Sequence, residues 1–278
     1  MTVKMKKRIR LLVKVAFAAI LALSFLLPFY LVALNSIKTM GEVTQNPFSL
    51  PQEIHWENYI SSWKALNMGK AFINTAIVAI CSTLLITILS AMVAYWTVRH
   101  PTRFSRLFEM FLLGSILIPF PTIMLPIVKT LSAVRLSGTL IGGIICYTGM
   151  GIAFSYFIMR GAVLSIPKEL EEAAIMDGSS VYYAFFRIIF PLMTPTAISV
   201  FILEIFWIWN DYNIALVVLN NDVTKTIQLS INGLFSQYIS RWDIALPALV
   251  IGILPIFIVN ILLQKKILAG MTAGAIKG

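Results

Sequence analysis

The segment Pro167–Pro191, PKELEEAAIMDGSSVYYAFFRIIFP, decides how the rest of the chain is read. It is a polar interlude between long apolar runs. Pro167 suits the first turn of a helix, where its missing N–H is no loss. Glu169, Glu171 and Glu172 then lie in the first two turns, where the positive end of the helix dipole favours carboxylates. Leu170, Ala173 and Ala174 follow i, i+3, i+4 spacing and make a small apolar face. Gly178 stops the helix from the C′ position, and Ser179 or Ser180 caps the next one. In that second helix Tyr182, Phe185, Phe186 and Ile189 form an aromatic stripe. Small residues allow close approach into a cleft, and the carboxylates suit charge-assisted bonds from an Arg there. The reading is a docking element for a soluble partner; the bland alternative is a loop packed on its own helices.

Of the 278 residues, 59% are hydrophobic and 12% charged, and the mean hydropathy is +0.87. Soluble domains carry about a quarter charged residues, so this composition predicts an integral membrane protein. The net charge of +10 is then read as the Lys/Arg bias that orients spans rather than as a nucleic-acid surface. Cys81 and Cys146 each fall inside an apolar run, which indicates neither a disulfide framework nor a metal site. His55 and His100 are far apart, so no metal is expected.

Crossing hydrocarbon takes about 20 apolar residues. Uncharged runs of that order occur at Val15–Leu34, Ala71–Val98, Met110–Val128, Leu136–Met159 and Ile244–Gln264, and Ile188–Asn210 is broken only by Glu204. The expected fold is all-α, a polytopic membrane protein of one transmembrane domain, 1–278. Its spans are expected near 12–34, 71–98, 108–130, 137–159, 188–218 and 244–264. The first run is too long for the core of a signal peptide and has no small-x-small cleavage site, so it is read as retained. Pro119, Pro121 and Pro126 interrupt the third span, which places it inside a bundle where freed carbonyls find partners. Of the 22 Lys and Arg, about two-thirds fall on the side of the amino terminus, among them Arg99, Arg103, Arg106 and Arg160. That bias puts both termini, and the loop 165–191, in the cytoplasm.

On the other face, the loop Asn35–Lys70 offers Trp56, Tyr59, Trp63 and Leu66 at helical spacing, an interfacial helix with aromatic anchors. A second polar loop, Leu219–Asp243, lies between the fifth and sixth spans.

Glu172-Ala173-Ala174, then Gly178, then Ile188-x-x-Pro191 resembles the EAA loop of ATP-binding-cassette importer permeases. This chain has Phe190 where that family has Leu, which keeps the position apolar. NSIKT after the first span, Pro51 with Asn58 and Tyr59, and the tail GMTAGAIKG resemble the carbohydrate-type branch, and within it the shorter permease subunit of maltose-type systems. The resemblance covers nearly the whole chain. It implies the type I importer permease fold in a bacterial plasma membrane. Glu172, Ala173, Ala174, Asp177 and Gly178 would then form a coupling helix seated on an ATPase. Gly270–Gly278, within the cytoplasmic tail 265–278, would make a second cytoplasmic contact. The implied partners are a second permease, two ATPase subunits, an extracytoplasmic solute-binding protein and a sugar. The implied ATP and Mg are bound by the ATPases, with no cofactor in this chain.

The fifth span carries FILEIFWIWNDYNIAL. A carboxylate near the bilayer centre costs about 2.5–3.5 kcal/mol on insertion scales, so Glu204 must face protein or water. Two readings of Glu204, Trp209, Asn210 and Asp211 stand side by side. In one they line a cargo path, with aromatic planes for a sugar ring and polar groups for its hydroxyls. In the other they are an interhelical polar pair beside interfacial tryptophans.

Two other function classes are weighed against an importer subunit. A secondary transporter needs intramembrane ion sites and internal repeats, and here only Glu204 and Asp211 offer themselves. A membrane enzyme needs a nucleophile–base set or metal ligands, which the spacing does not provide. No G-x-x-x-x-G-K-[ST] loop is present, so the chain is not expected to hydrolyse ATP. A permease for a non-sugar solute remains the nearest alternative.

Overall fold

The computed structural model describes residues 3–235 and 241–275, without the side chains of 3–6, Arg8 and 264–275. The described residues are helices and turns with no strand. In order they are α1 (Val3–Asn35), α2 (Met40–Gln45), α3 (Glu57–Ala65), α4 (Met68–Arg99), α5 (Arg103–Leu117), α6 (Phe120–Ala133) and α7 (Leu140–Leu164). Next come α8 (Glu169–Met176), α9 (Val181–Ala184), a π-turn at Phe185–Ile189 and α10 (Phe190–Asn210). The last three are α11 (Asn213–Val218), α12 (Ile227–Asn232) and α13 (Trp242–Ala275).

Among the described residues, five helices are long and apolar enough to cross a membrane: 9–35, 68–99, 140–164, 181–210 and 242–263. A sixth crossing requires α5 and α6 together, and these are bent by 109° at their junction. The sequence reading expects one span over 108–130, and prolines explain the difference. Pro119 caps α6 and Pro121 sits in its first turn, where neither has an N–H to continue the α5 ladder. The fifth expected span, 188–218, likewise stops at Asn210 and restarts as α11.

Contacts divide the chain into two units: 1–68 with 231–254, and 69–230 with 255–278. In the first unit α1 is exposed along most of its length, and the segment that follows it is fastened by side chains bonding to backbone. Asn35 Nδ2 donates to the Pro47 carbonyl at 2.9 Å, and Asn58 Nδ2 donates to the Lys38 carbonyl at 2.9 Å. Lys38 is fully buried, with Nζ 3.3 Å from the Asn46 carbonyl. Ser36 Oγ shares a 2.7 Å hydrogen bond with Tyr59 Oη. The NSIKT stretch is therefore a clasp on the loop behind it. Thr39 and Glu42 form a capping box. Glu42 Oε1 also accepts from the Gln52 amide at 2.8 Å. The Gln52 and Thr39 amides hold the Glu42 carboxyl down to about 2.

The second unit is built on α4, α7 and α10. One apolar cluster, near the Arg99 end of α4, contains Tyr95, Tyr156, Met159, Phe185, Ile189 and Met193. The other contains Val78, Ile86, Tyr147, Ile208, Ile214 and Leu219. The face that α7 buries is rich in small residues, including Gly151, Ala153 and Ser155, which let helices approach closely. At Gly151 a Cβ would stand 2.6 Å from Ile86 Cδ1 and 2.8 Å from Glu204 Oε2. A larger residue there must push aside the tip of Ile86 and the Glu204 carboxylate.

Candidate functional site: the polar loop and the end of the second span

The loop 165–191 folds as the helix–turn–helix its composition suggests. Helix α8 begins two residues past Pro167, with Lys168 as its N-cap. Its far end is a Schellman turn: the Gly178 amide donates to the Ile175 carbonyl, and the Ser179 amide to the Ala174 carbonyl, both at 3.0 Å. Gly178 sits at φ +85°, the left-handed region open to glycine, and nothing lies within 4 Å of where its Cβ would be. The glycine is there for backbone conformation, not for space. Ser180 caps α9 by accepting from the Tyr183 amide at 3.2 Å.

The inward face of α8 differs from the small apolar face read from spacing. Glu171 and Ala174 point in, while Leu170, Glu172, Ala173, Ile175, Met176 and Asp177 are exposed. The aromatic stripe of the second helix divides in the same way. Phe185 and Ile189 join the core; Tyr182, at 76% exposure, and Phe186 face outward. Met176 is 87% exposed. An apolar and acidic surface is thus displayed on a rigid turn.

Glu171 is the carboxylate that the sequence reading does not separate from its neighbours. Its Oε2 accepts from Arg99 Nε at 2.8 Å and its Oε1 accepts from Tyr95 Oη. The Arg99 and Glu171 side chains are 7% and 11% exposed. Arg99 Nη2 also donates to the Ile166 carbonyl at 3.1 Å. The last residue of α4 therefore holds both the helix and the strand of chain leading into it. The pair lies in a hollow of about 170 Å³ whose other walls are His100, Lys168, Glu172, Ile175 and Val181. Nearby, Glu109 Oε1 accepts from Tyr156 Oη at 2.7 Å and from Arg160 Nε at 3.0 Å. Tyr156 in turn shares a 2.9 Å hydrogen bond with Thr97, so α4, α5 and α7 are joined at this end.

The four polar residues of the fifth span are not brought to one point. Glu204 is buried, and its Oε1 accepts from Ser155 Oγ at 2.6 Å. Its Oε2 has no hydrogen-bond partner among the described residues. Glu204 borders a cavity of about 330 Å³ with Met150, Gly151, Phe154, Leu203 and Trp207. Asp211 instead serves α11: its Oδ2 accepts from the Ile214 amide at 2.9 Å and from Tyr147 Oη at 2.8 Å. Asn210 Nδ2 donates to the Phe206 carbonyl on its own helix at 2.8 Å. Trp209 packs beside the second cluster, its ring 6.2 Å from Phe72. No group of His, Cys, Asp and Glu suited to a metal occurs among the described residues. The sequence-expected contact of residues 270–278 ends, at 276–278, outside the described residues.

Residues 84–267 match the family described as binding-protein-dependent transport system inner membrane component. The chain is 37% identical over 258 residues to a Thermoanaerobacterium thermosulfurigenes protein described as the probable starch degradation products transport system permease AmyC. That match spans 93% of this chain and 94% of AmyC. It is 30% identical over 262 residues to the melibiose/raffinose/stachyose import permease MelC of Bacillus subtilis, covering 94% and 95% of the two chains. Among solved structures it resembles a chain of a bacterial ABC transporter involved in import of the acidic polysaccharide alginate. The TM-score is 0.81 at 23% identity, over 94% of this chain and 97% of that one. That likeness shows a shared fold, the type I importer permease fold expected from the sequence. With its several apolar helices, this is a multi-pass membrane protein, and it belongs to the family of binding-protein-dependent transport system inner membrane components.

Proposed function

We propose that this permease imports a sugar or oligosaccharide, working with a second permease, two ATP-hydrolysing subunits and an extracytoplasmic solute-binding protein. ATP and Mg belong to the ATPases, and the chain itself hydrolyses nothing. Both termini and the loop 165–191 lie in the cytoplasm of a bacterial plasma membrane. The observation that carries the reading is the α8–α9 turn. It holds Glu172, Ala173, Asp177 and Gly178 at the surface beside exposed Met176 and Tyr182, with Ala174 buried beneath. A surface of that kind is costly to leave open to water and suits a groove on a partner. A carbohydrate cargo is supported by relatives described as permeases for starch degradation products and for melibiose, raffinose and stachyose. The cargo passes along α10, past Glu204, Trp209, Asn210 and Asp211.

The mechanism follows from linkage. A ligand shifts an equilibrium only by its unequal affinity for two states. ATP bound between the partner subunits therefore moves this chain only if the docked α8 is held differently in the inward-open and outward-open arrangements. The Gly178→Asp and Glu172→Lys variants test this. Each is expected to reach the membrane in normal amount and to abolish uptake of labelled maltotriose or raffinose into cells. Normal uptake with either variant refutes the coupling assignment. Uptake of a non-sugar solute alone refutes the cargo.

A further inference from the structure

We infer that the Arg99–Glu171 pair is a positioning contact that passes movement of the docked loop to the second span, α4. The inference rests on the coupling reading above and adds the internal partner that the reading lacks. Three observations carry it. First, the pair joins two elements with different duties: Glu171 is on α8, one residue before the exposed Glu172, and Arg99 ends α4. Second, Arg99 grips two places at once, the Glu171 carboxylate at 2.8 Å and the Ile166 carbonyl at 3.1 Å. A shift of α8 along or across its axis therefore pulls on one residue of α4. Third, the pair lines the same hollow as Glu172, so a partner side chain entering there meets both the docking surface and the link beneath it.

Burial of the pair argues against a purely stabilising duty. Removing two charges from water is expensive, and well-packed apolar residues of similar size often stabilise as well or better. Only the charged, hydrogen-bonded version fixes direction and register. Tyr95 Oη on the second carboxylate oxygen strengthens that constraint, since it too comes from α4, one turn before Arg99.

The test uses the assembled transporter, with its second permease, ATPases and binding protein, in proteoliposomes. It reads the ratio of labelled maltotriose taken up to ATP hydrolysed. In the double variant R99M/E171L both charges go and apolar packing is kept. It is expected to co-purify with the ATPases and hydrolyse ATP, while the ratio falls about tenfold, within the ordinary range of coupling between sites. E171Q, which keeps shape and loses charge, is expected to lower the ratio in the same direction, and it serves if the double variant does not fold. A wild-type ratio in R99M/E171L or in E171Q overturns the inference. So does loss of the ATPases from an otherwise folded double variant, since the pair would then build the docking surface. Absence of ATPases from the purified wild-type protein instead sinks the coupling reading, so the two failures are distinguishable.

Discussion

At the Arg99 end of α4, charged side chains reach other charged side chains: Arg99 to Glu171 and, close by, Arg160 to Glu109. Toward the other end of the same helix, Asn74 Nδ2 donates to the backbone carbonyls of Val223 and Lys225 at 2.9 and 3.0 Å. There Thr75 Oγ1 also accepts from the Ile227 amide at 3.0 Å. In the loop facing it, Asn221 Nδ2 donates to the Gly138 carbonyl at 2.7 Å. A side-chain amide on a carbonyl fixes where a loop runs and has no alternative partner to exchange with. The Arg99–Glu171 pair instead joins side chain to side chain across two helices, so movement of one is passed to the other. One end of α4 is stapled, the other is jointed, and the jointed end is where the polar loop sits.

The largest expected effect is at the joint. Arg99→Ala or Glu171→Ala leaves one buried charge alone and is expected to cost about 3–5 kcal/mol, seen as a fall in the thermal midpoint of the purified protein. If R99M/E171L melts near wild type while both single variants do not, the cost is the orphaned charge and not lost packing. The stapled end gives a smaller and different loss. Asn74→Ala removes two bonds and strands two carbonyls, at about 1–3 kcal/mol. The comparison predicts a lower midpoint with an unchanged ratio of uptake to hydrolysis. An Asn74→Ala protein that is stable but uncoupled would break the distinction.

The smallest effect concerns the clasp behind α1, where Glu42 is held down to about 2 by the Gln52 and Thr39 amides. A carboxylate lowered on folding stabilises the folded form fully above its ordinary value near 4.5. That contribution fades as pH falls toward 2. Protection of the Gln52 amide, measured by hydrogen exchange corrected for intrinsic rates, should therefore drop across that interval. In Glu42→Ala, which has no side-chain oxygen to accept from the Gln52 amide, it should be low already at pH 5. Equal protection in both proteins at pH 5 would remove Glu42 from the clasp.

The turn at Gly178 was legible in the sequence because its signal is local: a glycine after an acidic, alanine-rich helix has few other uses. Which of Glu169, Glu171 and Glu172 turns inward was not legible. That choice depends on the rotation of α8 against α4, set by the distant residues Tyr95 and Arg99. In the sequence Arg99 reads only as one more cation next to a span. The polar run Asn210–Asp211 was legible as polar, but the structural duty of Asp211 was not. Its composition suits a ligand, yet Asp211 caps a helix that the pattern reads as a continuation of the fifth span. A break in a helix creates free amides, and the nearest carboxylate takes them.

The corner between α5 and α6 bears on what this polypeptide is when alone. At 15 and 14 residues the two arms are about 22 and 21 Å long, and neither reaches across about 30 Å of hydrocarbon. Oil offers no hydrogen bonds to the loosened backbone at Ile118–Pro119, so the elbow must meet another polypeptide or a column of water. Most of both arms is bare in the isolated chain. By itself the chain carries a corner whose backbone still has partners to find.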